Sequence, residues 1–220
     1  SGLAAIGLDF SFNAQDDGMI SVERRPFGLW GSPISAHARA GRMRFMDVRW
    51  DARTGTLAWL ERDGQGTRLM ARLPDGTRRV LTDAFDIRGG EAYGGGEFDL
   101  LDGTVVFFER GRQLYRIEMN SGAARPITPL FDSAASPAIS PDGRWVFFVA
   151  SQAEESALYL VDSQGAHPPV KSAWGADFYM DPVWHPQGNR LAWMEWDHPD
   201  MPWDGARIRL ADLEGDPPRI

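Results

Sequence analysis

Residues 177–205 read Asp-Phe-Tyr-Met-Asp-Pro-Val-Trp-His-Pro-Gln-Gly-Asn-Arg-Leu-Ala-Trp-Met-Glu-Trp-Asp-His-Pro-Asp-Met-Pro-Trp-Asp-Gly. Residues 181–185 predict a short strand. The sequence Pro186-Gln187-Gly188 is typical of a turn, because proline fixes one φ angle and glycine accepts a positive one. Residues 190–196 are rich in apolar and aromatic side chains and predict a second strand. The stretch therefore predicts a β-hairpin followed by an irregular loop over residues 197–205.

That loop carries the candidate site. It combines prolines, aspartates and aromatic side chains around one histidine, so it has surface to bury and little backbone freedom to lose. We expect it to be ordered and packed by Trp196 and Trp203, and to leave an aromatic or apolar surface exposed. One imidazole among carboxylates could hold a cation, but a single histidine is a weak ligand set, so we predict turn capping and no metal. The candidate residues are Trp196, Asp197, His198, Trp203 and Asp204.

The strand–turn–strand pattern also occurs three times upstream. Each copy places an aromatic residue in its second strand, and the sequence assigns this position to Trp59, Phe107, Phe147 and Trp193. A third strand follows each time, closed by a turn that contains glycine. A repeat of about 40–50 residues with four short strands is typical of a β-propeller blade. The predicted fold is therefore all-β.

The repeats divide the chain into four predicted blades, at residues 42–88, 89–131, 132–179 and 180–220. Residues 1–25 predict an N-terminal hairpin or extension, and residues 26–220 a partial propeller. The sequence stops within the expected outer strand of the last repeat. Four blades of a larger propeller would leave sheet faces uncovered, so we expect either a fragment of a longer protein or self-association through the open propeller edges.

These motifs resemble a known family. The turn Ser140-Pro141-Asp142-Gly143 resembles those of TolB-like propeller repeats. Residues 177–205, residues 27–35 and the motif Tyr93-Gly94-Gly95-Gly96 are together similar to the N-terminal propeller of the prolyl oligopeptidase family of serine peptidases. The similarity is to the acylaminoacyl-peptidase and dipeptidyl-aminopeptidase branch, and it extends over residues 26–213.

The resemblance implies a non-catalytic propeller that gates and shapes the access of peptide substrates to a C-terminal α/β-hydrolase domain. In such peptidases the loop at residues 197–205 would face that domain. The chain contains no Gly-x-Ser-x-Gly nucleophile motif, so we expect no catalytic residue in it. The alternative is a stand-alone TolB-like propeller that acts as a protein-interaction scaffold. A sugar-binding propeller is suggested only by the tryptophan content.

Two further acidic segments are candidates for contact with substrate. The family's glycine motif is usually preceded by glutamate, but Ala92 stands there and Glu91 comes one residue earlier, which would place Glu91 on the opposite face of a strand from Tyr93. Glu91 and Tyr93 remain candidates for the substrate or domain interface. Glu154-Glu155 resembles the paired acids with which some relatives hold a peptide N-terminus, although a solvated loop is the favoured interpretation.

Composition limits the functional classes. The net charge of −8 disfavours binding to nucleic-acid phosphate or to an anionic membrane. No apolar run approaches the ~20 residues of a membrane span. The chain has no cysteine, which excludes disulfides and thiolate metal sites and fits a reducing compartment, so we expect a cytoplasmic protein. No cofactor is expected.

Overall fold

The computed structural model describes residues 6–10, 22–26, 43–90 and 96–220. The chain divides into two compact units, residues 1–42 and residues 43–220. The first unit contains the predicted hairpin, in which β1 (Ile6–Phe10) pairs with β2 (Val22–Pro26) in antiparallel register.

The second unit consists of four antiparallel sheets that follow one another along the chain. The first blade contains β3 (Arg44–Asp51), β4 (Thr56–Asp63), β5 (Gly66–Arg72) and β6 (Arg78–Val80). The second contains β7 (Phe98–Leu101), β8 (Thr104–Glu109), β9 (Gln113–Glu118) and β10 (Ala124–Pro126). The third contains β11 (Ser133–Ile139), β12 (Trp145–Gln152), β13 (Glu155–Asp162) and β14 (Val170–Trp174). The fourth contains β15 (Phe178–Trp184), β16 (Arg190–Trp196) and β17 (Arg207–Asp212). The all-β propeller prediction is confirmed.

Each blade packs against the next one through the faces of its sheet. The inner strands β3, β7, β11 and β15 contact one another in sequence. Three apolar clusters lie between the blades, one at each junction. The cluster between the third and fourth blades, for example, joins Phe147 and Val149 of β12 to Leu191 and Trp193 of β16. The core of this unit is therefore divided among the contacts between sheets.

The repeated aromatic position differs from the prediction by one residue in the third blade. Phe148, not Phe147, faces the preceding blade, because successive side chains of a strand point to opposite faces. Gly143 precedes Phe148 by the same number of residues as Gly188 precedes Trp193. Phe147 instead packs toward the fourth blade. The equivalent residues are therefore Trp59, Phe107, Phe148 and Trp193.

This aromatic position is buried in the three blades that have a preceding blade, and only half-buried in the first. Phe107 and Phe148 have no exposed surface, and Trp193 is also buried. Trp59 is only half-buried. Its side of the first blade has no neighbouring blade among the described residues. The Arg78 guanidinium lies over the Trp59 ring at 5.2 Å, whereas Trp193 packs in one apolar cluster with Phe147 of the preceding blade.

The fourth blade departs from the predicted four strands. After β17 the chain turns, and Glu214 and Arg219 form an isolated antiparallel bridge. The described residues therefore contain no fourth strand in this blade. The described part of the chain holds one short helix, α1 (Pro202–Gly205), and no helix there is long and apolar enough to cross a bilayer.

The aromatic contacts between blades predict where substitutions cost most. Phe148→Ala removes a ring that packs at 5.8 Å from Phe108 and at 5.7 Å from Tyr159 (centroid distances), and we expect it to lower the free energy of unfolding by about 3–5 kcal/mol. Leu130→Ala, at an exposed position, is the control and should change it by less than about 0.5 kcal/mol. Chemical denaturation of each variant provides the measurement. A loss below about 1 kcal/mol for Phe148→Ala would contradict the packing described here.

Candidate functional site

The loop at residues 197–205 is fixed at its base by two aspartates. Asp177 ends the connection from the third blade, and Asp197 directly follows β16. The backbone N–H of Asp177 donates to Asp197 Oδ1 at 3.1 Å, and the backbone N–H of His198 donates to Asp177 Oδ2 at 2.8 Å. Arg207 of β17 donates to Asp197 Oδ2 at 2.6 Å. The Arg207 guanidinium, with the Asp177 N–H, lowers the pKa of the Asp197 carboxyl.

Aromatic packing orders the start of the loop. The ring of Phe178 stacks on Trp196, with centroids 5.2 Å apart and an interplanar angle of 17°. The exposed His198 ring meets Phe178 edge-on at 5.3 Å. Trp196 is 1% exposed, so it packs the loop as the sequence predicted.

The tip of the loop presents the other tryptophan. Helix α1 closes on Met201, whose carbonyl oxygen accepts hydrogen bonds from the N–H groups of Asp204 and Gly205. Gly205 is required for close approach, because a Cβ atom there would lie 2.1 Å from Asp200 Oδ2. Trp203 was expected to pack the loop, but it is 73% exposed. Its position on the short helix leaves most of the Trp203 side chain exposed.

The structure therefore groups only part of the predicted site. Asp197 and His198 both hydrogen-bond to Asp177 at the base of the loop, whereas Trp203 and Asp204 lie on α1. Within the described residues, no group of three or more histidine and carboxylate side chains could hold a metal ion. The Asp197 carboxylate accepts hydrogen bonds from Arg207 and from the Asp177 backbone N–H. These bonds are consistent with a structural role for Asp197 at the base of the loop.

The remaining predicted candidates are separate from this loop. Glu91, Tyr93 and residues 27–35 lie outside the described residues. Glu154 and Glu155 are both exposed. Glu155 accepts a hydrogen bond from Lys171 Nζ at 2.7 Å, and this contact lowers the pKa of its carboxyl. This ion pair fits the solvated-loop interpretation of that segment.

A set of polar residues that the sequence analysis missed lies on the inner strands. In each of the strands β3, β11 and β15, the pairing with the next strand shifts by one residue. The residues at these shifts are Asp47, Ser136 and Asp181. Glu97 holds the same position immediately before β7. These four residues share one position relative to the hairpin turn that follows them. Each lies three residues before the inner-strand residue that pairs with the start of the next strand. That alignment needed the register, which the sequence alone did not give.

These four positions, here called the inner polar row, carry three carboxyl groups. Ser136 Oγ donates to Asp181 Oδ1 at 3.3 Å, and the backbone N–H of Ser136 donates to the carbonyl oxygen of Gly96. Arg49 donates to Asp47 Oδ1 at 2.5 Å. Burial raises the pKa of the Glu97 carboxyl, and the neighbouring Asp47 carboxylate raises it further. The row is therefore an acidic surface in which Glu97 is poorly solvated.

The raised pKa of Glu97 predicts a pH-dependent effect on stability. The folded protein holds the Glu97 proton to higher pH than the unfolded chain does, so this group's contribution to stability falls as pH rises from about 4 through its folded pKa. Glu97→Gln mimics the protonated acid. The melting temperature of Glu97→Gln minus that of the unsubstituted protein should therefore be larger at pH 7 than at pH 4.

Leu130→Ala, which removes no ionisable group at an exposed position, is the control for this comparison and should show a difference that does not change with pH. A difference for Glu97→Gln that is also constant between pH 4 and pH 7 would contradict the described environment of Glu97.

Comparisons with known proteins agree with the blade topology. No family model matches the chain. A puromycin-hydrolyzing peptidase of Mycobacterium tuberculosis is 29% identical to it, with a TM-score of 0.72 over 86% of this chain and 33% of the peptidase. TolB of Acinetobacter baumannii is 13% identical, with a TM-score of 0.59 over 94% of this chain and 50% of TolB. An uncharacterized protein of Agrobacterium fabrum is 28% identical over 107 residues, 46% of this chain and 36% of that protein.

The matched regions thus span about a third of the length of the mycobacterial peptidase and of the Agrobacterium protein. The TolB likeness shows the propeller fold, and the peptidase likeness extends over most of this chain. With the repeats and the sheet topology, these findings show that the chain forms TolB-like β-propeller blades and is similar to puromycin-hydrolyzing peptidases.

Proposed function

We propose that this propeller is the non-catalytic part of a peptidase in the acylaminoacyl-peptidase or dipeptidyl-aminopeptidase branch. It gates and shapes the access of peptide substrates to a C-terminal α/β-hydrolase domain. The likeness to the mycobacterial peptidase supports this proposal, since that protein is about three times as long as the region it shares with this chain. The proposed partners are the hydrolase domain and a peptide.

The observation that carries the proposal is the exposed Trp203 on an otherwise well-anchored loop. Hydrogen bonds among Asp177, Asp197 and His198 hold the base of the loop, and Gly205 allows its tip to close. A large and mostly exposed indole on an anchored loop is typical of an interface anchor, because tryptophan supplies a large contact area at a low cost in side-chain entropy. Trp203 is therefore the proposed contact with the hydrolase domain.

The inner polar row supports the second half of the proposal, the recognition of peptides. Its carboxyl groups are at Asp47, Glu97 and Asp181, and only Asp47 accepts a hydrogen bond from a cationic side chain in the described structure. An acidic surface attracts the protonated amine of a peptide N-terminus. Glu91 and Tyr93 precede Glu97 closely in sequence, and we propose that they contribute to the same substrate surface.

The lack of cysteine supports a cytoplasmic location for the proposed enzyme, since reducing compartments do not favour disulfides. A stand-alone scaffold would use the same exposed tryptophan to bind a different protein. Binding to a hydrolase domain separates these two functions.

Docking through Trp203 predicts a selective effect of one substitution. Trp203→Ala should weaken binding of this chain to a separately expressed α/β-hydrolase domain of the family by at least tenfold, as expected for an aromatic anchor. Trp174→Ala is the matched control, because Trp174 is also exposed but lies on β14 of the third blade. Affinities measured by isothermal titration calorimetry, with circular dichroism of each variant, provide the test.

Equal affinities for the Trp203→Ala and Trp174→Ala variants would contradict the assignment of Trp203 as the anchor. Failure of the unsubstituted chain to bind the hydrolase domain would contradict the proposed function and favour the scaffold.

A further inference from the structure

A cavity of about 440 Å³ lies where the first and second blades meet. It is lined by the β4–β5 turn, by residues 83–86 and by the β8–β9 turn. Cavities of about 300–1,000 Å³ commonly hold small molecules in proteins. The charged residues that line this one are Asp63, Arg68, Asp83, Asp86 and Arg110. The cavity is therefore a candidate ligand site that contains both signs of charge.

Three of these charged side chains already contact neighbouring groups. Arg68 forms an ion pair with Asp63. The Arg88 Nε atom lies 3.9 Å from Asp86 Oδ2, and the Thr67 backbone N–H donates to Asp86 Oδ1 at 3.4 Å. A ligand would have to compete with these contacts in order to bind Asp63, Arg68 or Asp86.

Asp83 and Arg110 are the two charged residues that remain. Both are exposed, and among the residues that the structure describes neither side chain has an ion pair or a hydrogen bond. They do not pair with each other, although both line the same cavity. The cavity thus presents one carboxylate and one guanidinium group that are free to contact a ligand.

The backbone of Arg110 indicates that its side chain has a role of its own. Arg110 has a φ of 49°, in the left-handed region that glycine, asparagine and aspartate adopt most readily. Its N–H donates to the carbonyl oxygen of Asp86 at 3.0 Å, and a Cβ atom on Gly111 would lie 2.3 Å from Gly90 Cα. The turn is thus closely packed, and its geometry does not favour arginine. We attribute the presence of Arg110 to its guanidinium group.

The segment that carries Asp83 is held at both ends by β5. The Leu69 backbone N–H donates to Thr82 Oγ1 at 2.9 Å, immediately before Asp83. The Ile87 backbone N–H donates to the carbonyl oxygen of Thr67 at 3.2 Å, at the other end of the segment. The carboxylate of Asp83 therefore projects from an anchored segment, which lowers the entropy cost of binding a ligand.

Phe85 gives the cavity an apolar wall. Its ring meets Phe107 edge-on at 5.3 Å and Tyr115 edge-on at 5.0 Å (centroid distances). These two contacts hold the ring in place beside the two free charges. The cavity therefore combines a cation, an anion and a fixed aromatic surface.

We propose that this cavity binds a small zwitterion, of which a free α-amino acid is the simplest, with its carboxylate on Arg110 and its ammonium group on Asp83. A guanidinium group matches a carboxylate through two parallel hydrogen bonds. An ammonium group donates to a carboxylate, and Phe85 contacts an apolar side chain of the ligand. This site shares no residue with the inner polar row or with the loop at residues 197–205, and the inference does not depend on the peptidase proposal.

Three probes separate the contributions of the two charges. Leucine carries both an ammonium group and a carboxylate, leucinamide lacks the carboxylate, and N-acetylleucine lacks the ammonium group. We expect this chain to bind leucine at least about tenfold more tightly than either derivative at pH 7, because each derivative loses one set of charge-assisted hydrogen bonds. Isothermal titration calorimetry on the unsubstituted chain provides the measurement.

Two substitutions assign each contact to its residue. Arg110→Asn should make the chain bind leucine no more tightly than leucinamide, and asparagine suits the left-handed backbone of this turn. Asp83→Asn should make it bind leucine no more tightly than N-acetylleucine. Circular dichroism and melting temperatures show that both variants are folded.

Arg79→Gln and Asp75→Asn are the matched controls. Both residues are exposed and carry opposite charges on the first blade, Arg79 on β6 and Asp75 in the β5–β6 turn, and neither lines the cavity. They should leave the affinity for leucine unchanged.

Equal affinities of the unsubstituted chain for the three probes would overturn the proposal, as would no detectable binding of leucine at about 10 mM. Leucine binding that both the Arg110→Asn and the Asp83→Asn variants retain in full would also overturn it, because the ligand would then bind elsewhere. A loss of affinity in the controls as large as that in these variants would overturn the assignment of the two residues.

Discussion

Packing between neighbouring blades is the constraint on which the rest of this structure depends. The three apolar clusters lie at the junctions of blades, and each draws its side chains from two sheets. A single four-stranded sheet has two apolar faces and cannot bury them alone, so each blade is stabilised by its neighbours. This constraint explains why Phe107 and Phe148 are fully buried while the equivalent Trp59 is not.

The repeat could be predicted from the sequence because turns and apolar strands depend on residues that are close together in the chain. Turn residues and apolar strands located the second strands of the blades, and β16 begins and ends where the sequence predicted, at residues 190 and 196. The error at Phe147 has a physical cause. Two adjacent phenylalanines in a strand point to opposite faces, and only the contact with another blade shows which one belongs to the repeated position.

The candidate site was less accessible to sequence reasoning. The composition of residues 197–205 indicated packing by Trp196, which is buried, yet Trp203 is exposed because it lies on a four-residue helix at the surface. Long-range contacts determine the rest. The hydrogen bond between Asp177 and Asp197 joins residues that are 20 positions apart in the chain. The inner polar row can be recognised only when the shifts in strand pairing are known.

Hydrogen exchange tests most directly whether contacts between blades stabilise the fold. Strands β8 and β12 belong to blades with a neighbour on both sides, whereas β4 and β16 belong to the first and last described blades. The account predicts that amides of β8 and β12 exchange more slowly than those of β4 and β16, since opening the interior blades disrupts two interfaces. Equal protection of all four strands would show that each sheet is stable by itself and would contradict the account.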